Sequence, residues 1–73
     1  MRPCIVKHGD FEMTVGKGET CDIWLTFYCD GSWQGSVGLS KGQSLGYLLT
    51  MNDIRISYEA EVAFKAKINQ LFA

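Results

Sequence analysis

Hydrophobic and polar positions alternate most regularly over residues 21–39, CDIWLTFYCDGSWQGSVGL. Ile23, Leu25, Phe27 and Cys29 alternate with Trp24, Thr26 and Tyr28. Beyond Asp30 and Gly31, Trp33, Gly35, Val37 and Leu39 alternate with Gln34, Ser36 and Gly38. Successive side chains of a strand point to opposite faces, so this period of two predicts a pair of strands. Asp-Gly between two such runs is a strong hairpin signal. Two loop lengths compete. A two-residue loop of Asp30 and Gly31 pairs Tyr28 with Trp33, but it also pairs Phe27 with Gln34 and Leu25 with Ser36, which mixes both faces. A three-residue loop of Cys29, Asp30 and Gly31, with Gly31 in the left-handed position of a bulge, pairs Phe27 with Trp33, Leu25 with Gly35, Ile23 with Val37 and Cys21 with Leu39. That register gathers the apolar residues on one face, and a one-residue slip would scatter them. The three-residue loop is therefore expected. The opposite face then carries Asp22, Trp24, Thr26, Tyr28, Gln34 and Ser36.

The pattern continues on both sides of this hairpin. Gly9 and Asp10 suit a two-residue turn with glycine at the first central position. The resulting register pairs His8 with Phe11, Lys7 with Glu12, Val6 with Met13, Ile5 with Thr14 and Cys4 with Val15. It collects Cys4, Val6, Met13 and Val15 on one face and sets Lys7 opposite Glu12, a favourable cross-strand pair. Pro3, near the start, marks an edge strand, where a missing backbone donor does no harm. Residues 16–20, GKGET, read as a connecting loop. They fit neither the G-x-x-x-x-G-K-[ST] phosphate loop nor the G-x-G-x-x-G fingerprint, because Cys21 stands at the sixth position and a strand follows.

Ser40, Lys41 and Gly42 repeat the pattern of a loop ending in glycine. A fifth strand over residues 43–50 would align Leu39 with Gln43, Val37 with Leu45, Gly35 with Tyr47 and Trp33 with Leu49. Tyr47 would then cover the bare backbone of Gly35. The same run, SLGYLLTM, also fits a short helix, and periodicity does not decide over so few residues. Asn52 and Asp53 interrupt the pattern, and Ile54 and Ile56 suggest an extended piece. Ser57 then caps a helix. Glu59 and Glu61 sit near its positive end, Lys65 and Lys67 sit further along, and Glu61 precedes Lys65 by four residues. Ala60, Phe64, Ile68 and Leu71 form its apolar stripe.

The expected fold is thus α+β, an antiparallel β-meander of four to five strands with one C-terminal α-helix packed on one face. Strands fall at about 2–8, 11–15, 21–28, 33–39 and 43–50 and the helix at about 57–72, all within one domain spanning residues 1–73.

Composition narrows the chemistry. At 73 residues, 47% apolar and 21% charged, the chain has a globular balance with a small core. Seven basic residues offset eight acidic ones with no like-charged cluster, which disfavours electrostatic binding to nucleic acid or to an anionic membrane. No segment approaches the roughly 18 consecutive apolar residues of a membrane span. The first ten residues, MRPCIVKHGD, lack the apolar stretch of a secretory signal. Three cysteines, an odd number, suggest free thiols in a reducing compartment. The expected location is the cytoplasm, of a cell or of an infected host.

Cys4, His8, Cys21 and Cys29 are the residue types of a zinc site, but they lack paired ligand spacing. If Cys21 and Cys29 lie on one strand they stand about 26 Å apart at ~3.3 Å per residue and share neither an ion nor a disulfide. His8, the single histidine, sits beside a turn, and the carboxylates of Asp10, Glu12, Glu19, Asp22 and Asp30 are scattered. No catalytic set is assembled, so no enzyme, cofactor or metal is expected.

Trp24 and Tyr28 remain. They share the polar face with Thr26, Gln34 and Ser36, directed away from the helix. Large exposed aromatics are enriched at interface hot spots. Three readings of this face compete: a partner-binding surface formed by Trp24, Tyr28, Thr26, Gln34 and Ser36, a homodimer interface, or cover by the N-terminal hairpin. The expectation carried forward is a small non-enzymatic protein-interaction module, an inhibitor or adaptor. In size and style it resembles the small accessory proteins encoded by phages and mobile elements. The alternative is a nucleic-acid-binding domain using the same aromatics, although sheets that stack bases usually add nearby Lys or Arg.

Overall fold

The alternating segments form a single antiparallel meander. The computed structural model describes residues 3–73, so Arg2, expected to open the first strand, lies outside the described residues. Strands β1 (Cys4–His8), β2 (Phe11–Lys17), β3 (Ile23–Cys29) and β4 (Ser32–Leu39) lie side by side in sequence order. Two helices follow, α1 (Leu45–Met51) and α2 (Tyr58–Phe72). The architecture is α+β, with a four-stranded sheet and two helices.

The N-terminal hairpin has the expected register, from Cys4 opposite Val15 to His8 opposite Phe11. Gly9 supplies the positive φ, 60°, that its turn requires. Lys7 Nζ stands 3.6 Å from Glu12 Oε1. Strand β2 runs two residues past the expected end, through Gly16 and Lys17, because Trp24 and Ile23 of β3 pair with them.

The central hairpin corrects the expected register. Its loop is the two-residue one, with Asp30 at φ 49° and Gly31 at φ 82° between the closing pair Cys29 and Ser32. Positive φ at both central residues gives the turn whose twist matches that of paired strands, the reason Asp-Gly is favoured there. The face mixing that this loop would cause is removed by a bulge. Tyr28 pairs with Trp33 and Phe27 with Gly35, leaving Gln34 as the extra residue. Beyond the bulge Leu25 opposes Val37 and Ile23 opposes Leu39, and all four are buried. The bulge therefore restores the apolar face, but it moves Trp33 to the other side of the sheet. Trp33, expected in the core, is 62% exposed.

Gly35 shows why the bulge sits where it does. Its φ of 155° disfavours a side chain, and an added Cβ would lie 2.8 Å from both Cγ1 and Cδ1 of Ile54. The side chain that fills this notch is Ile54, and Tyr47 points away, 64% exposed.

The expected fifth strand is helix α1 instead. Ser44 Oγ accepts from the Tyr47 amide at 3.2 Å and caps its start. Asp53, at φ 53°, closes its end. The Asp53 amide donates to Thr50 O at 3.2 Å and the Ile54 amide donates to Leu49 O at 2.9 Å. This paired return of bonds past a left-handed residue is the Schellman termination, and Ile54 and Leu49 both bury beside it. Caps at both ends thus satisfy a helix where periodicity left the segment open, and the same termination delivers Ile54 onto Gly35.

Helix α2 forms as expected, with Ser57 Oγ accepting from the Ala60 amide at 3.2 Å and Glu61 Oε2 3.0 Å from Lys65 Nζ. Ala60, Phe64 and Ile68 are buried, and the Phe64 ring packs on Phe27 with centroids 6.0 Å apart. Helix α2 lies over β1 and α1 over β4. An added Cβ at Gly46 would come within 3.1 Å of Glu61 Oε2, the tip of a side chain on α2. Both helices share one core with Met13, Ile23, Leu25 and Phe27, so they cover the same face of the sheet.

Candidate partner-binding face

The strand registers lay out the opposite face row by row. At the turn end stand Lys7, Glu12, Tyr28 and Trp33, in the middle Ile5, Thr14, Thr26 and Ser36, and at the far end Gly16, Trp24 and Gly38. No helix or strand among the described residues covers this surface. The N-terminal hairpin continues the sheet edgewise and does not fold across it, which removes the reading in which it shields the aromatics.

Three aromatic residues stand on this face. Tyr28 and Trp33 are directly opposed neighbours, with Cβ atoms typically ~5 Å apart at such pairs. Trp24 lies four residues along β3 from Tyr28, about 13 Å away. Trp24 and Trp33 are exposed, Tyr28 is half-buried, and Ile5 adds a further 63% exposed apolar side chain. Between the aromatic ends runs a hydroxyl row in which Ser36 Oγ donates to Thr26 Oγ1 at 3.1 Å. The charges in these rows are Lys7 and Glu12, which neutralise one another.

Glycines shape the surroundings of Trp24. Its cross-strand neighbours on both sides, Gly16 and Gly38, carry no side chain. The indole rests beside Gly38, where a Cβ would be 3.5 Å from Trp24 Cε3. Toward β1 this leaves a trough of ≈ 380 Å³ with Pro3 and Ile5 on one side, Trp24 on the other and Gly16 beneath. A second concavity of ≈ 330 Å³, bounded by Lys17, Glu19, Thr20 and Cys21, shares Trp24 as a wall. Each is large enough for one bulky side chain of a partner.

Of the residues expected at this site, Trp24, Thr26, Tyr28 and Ser36 come together on the open face. Gln34 is the bulged residue, exposed, with its Nε2 donating to Ser32 O at 3.1 Å. Asp22, expected beside Trp24, lies before β3 and ties two loops together by accepting from the Lys41 amide at 2.8 Å. Trp33 and Ile5 are additions. The signal for Trp33 was present in the chain, since a lone glycine inside a strand often marks a bulge. A bulge at Gly35 reconciles the favoured Asp-Gly turn with a clean apolar face.

The other candidate groups stay apart. Cys4, Cys21 and Cys29 are free and half-buried, and Cys21 Sγ donates to Ile23 O at 3.2 Å. Among the described residues no three His, Cys, Asp or Glu side chains gather as a metal site would require. No described helix is long and apolar enough to cross a membrane. No family model, curated protein or solved structure matches this chain.

Proposed function

We propose that this protein is a small non-enzymatic interaction module, an inhibitor or adaptor of the kind phages and mobile elements encode, acting in the cytoplasm of a cell or infected host. It holds a protein partner on the open face of its sheet. One observation carries the reading. Trp24, Tyr28 and Trp33 occupy a sheet face that nothing among the described residues covers, while the apolar residues of the other face are buried. Aromatic anchors give much contact area at low conformational cost, and a central polar row gives orientation. In this reading Trp24 and the Tyr28/Trp33 pair are the two anchors. Thr26 and Ser36 supply hydrogen bonds between them, and Gln34 contributes at the rim.

The test is capture of a partner from lysates of candidate hosts, with Trp24→Ala and Trp33→Ala run in parallel. Each variant should lose the captured protein while keeping the thermal midpoint of the parent. Equal capture by both variants would exclude this face. Binding of a single-stranded oligonucleotide that weakens steeply with salt would replace the protein partner by nucleic acid.

A further inference from the structure

Gly16 stands apart from the other glycines. Of the eight in the chain, Gly9, Gly31, Gly35 and Gly42 take positive φ. At Gly18, Gly38 and Gly46 an added Cβ would meet another atom at 3.1 Å or closer. Gly16 shows neither feature. Its φ is not positive, and a Cβ built on it would meet nothing among the described residues within 4 Å. It lies inside β2, where a glycine weakens the strand and often marks the close approach of a ligand or another chain. The Trp24 indole does not use this space, because it leans toward Gly38 on its other side.

The space that Gly16 leaves open has a definite form. Trp24 pairs with Gly16 on β3, and the pairing of Cys4 with Val15 carries Pro3 toward Gly16 on the opposite side. Strands β1 and β3 stand two strand spacings apart, about 9.6 Å, and β2 puts no side chain between them in this row. The result is the trough of ≈ 380 Å³ that has Pro3 and Ile5 on one wall, Trp24 on the other and Gly16 as its floor. Among the described residues its lining holds no charge, and Thr14 supplies its one hydroxyl. A charged group pressed into it would lose water and meet no counter-ion, whereas an apolar group would gain contact on both walls. The concavity on the far side of Trp24 differs, because Lys17 and Glu19 line it.

We propose that the trough over Gly16 is a slot for one large apolar side chain, of the size of phenylalanine or leucine, inserted by the protein partner between Trp24 and Ile5. The inference rests on the partner reading above and fixes the chemistry that the partner presents at this point. The inserted group takes the place of the side chain that Gly16 lacks, and its burial supplies on binding the apolar contact that the glycine withholds from the fold. Folding and binding therefore make opposite demands at this residue. A side chain added at Gly16 strengthens the strand and blocks the slot.

The N-acetyl amides of phenylalanine, leucine and lysine are the probes, titrated into isotope-labelled protein and followed by NMR. The phenylalanine and leucine amides should shift the Gly16 amide and Trp24 indole signals and saturate in the millimolar range, and the lysine amide should bind at least about tenfold more weakly. Gly16→Val should abolish these shifts while the thermal midpoint holds or rises by a few degrees. No shift with the apolar amides, equal binding of the lysine amide, or shifts that persist in Gly16→Val would each overturn the proposal. A midpoint clearly lowered by Gly16→Val would mean that the chain fills the slot itself. Gly16 signals that move with protein concentration alone would give the slot to a second copy, and either result also overturns the proposal. Capture experiments separate the slot from the reading it rests on. A partner lost on Trp33→Ala but kept by Gly16→Val would overturn the slot alone. A partner kept by both Trp24→Ala and Trp33→Ala, with the apolar amides still bound over Gly16, would overturn the interaction face and leave the slot standing.

Discussion

The two faces of one sheet are made by the same strands and behave as opposites. On the inner face Ile23, Leu25, Phe27, Val37 and Leu39 are each 4% exposed or less and lie under two helices. On the outer face of the same strands Trp24 and Trp33 are 47% and 62% exposed. Both faces contain large apolar groups, so hydrophobicity does not distinguish them. What does is whether the chain supplies a cover. Apolar surface that the chain buries stabilises the fold. Apolar surface that it leaves open contributes nothing to folding and is available to another molecule.

That contrast breaks first at the inner face. Phe64→Ala removes the ring that packs on Phe27 and should cost about 3–5 kcal/mol. A chain of this length typically has a total stability of only roughly 4–11 kcal/mol. Urea denaturation should show a midpoint lowered by about a quarter or more, or a protein largely unfolded in buffer. A loss under about 1 kcal/mol would mean that the helix layer is loosely seated.

A middle-sized effect is expected at Gly35, where the two faces exchange roles. Gly35→Ala places a methyl group against Ile54 and forces a side chain into a φ that disfavours it, with an expected cost of about 1–3 kcal/mol. Combining it with Ile54→Ala should recover part of that loss, since the smaller residue opens the notch. Strict additivity in a double-mutant cycle would contradict the contact.

The smallest effect belongs to the outer face. Trp33→Ala should change stability by less than about 0.5 kcal/mol in thermal denaturation, although tryptophan is the largest residue in the chain. If the cost instead approached that of Phe64→Ala, Trp33 would be structural and the two faces would not be opposites. The Lys7–Glu12 pair offers an internal scale on the same face, because an exposed ion pair contributes at most about 1 kcal/mol and fades with salt.

Much of the fold was legible without coordinates. The register of the N-terminal hairpin was readable to the residue, because the apolar alternation, the Gly9 turn and the Lys7–Glu12 pairing agreed on it, whereas the end of β2 at Lys17 was not. The C-terminal helix was equally clear, since cap, charge order and apolar stripe all pointed to Ser57 as its start. At the central hairpin two local rules conflict, the Asp-Gly turn and the clean alternation of faces, and the structure keeps the two-residue turn. Both were satisfied by a bulge at Gln34, which neither rule contains. The candidate site was legible in the same measure. Trp24, Thr26, Tyr28 and Ser36 followed from the parity of β3 and β4, whereas Trp33 depended on the bulge and Ile5 on how β1 lines up across the sheet.

The chain by itself determined which residues pair locally, where helix α2 starts and which strand positions are apolar, because these depend on period, turn chemistry and capping within a few residues. Tertiary structure decided what local pattern does not encode. Residues 45–51 became a helix because Leu45 and Leu49 had a sheet face to bury against and Ile54 had a notch at Gly35 to fill. Trp24 and Trp33 stayed open because both helices went to the other side. Burial is a property of what arrives from elsewhere in the chain, and a strand's own sequence does not specify which of its faces will be met.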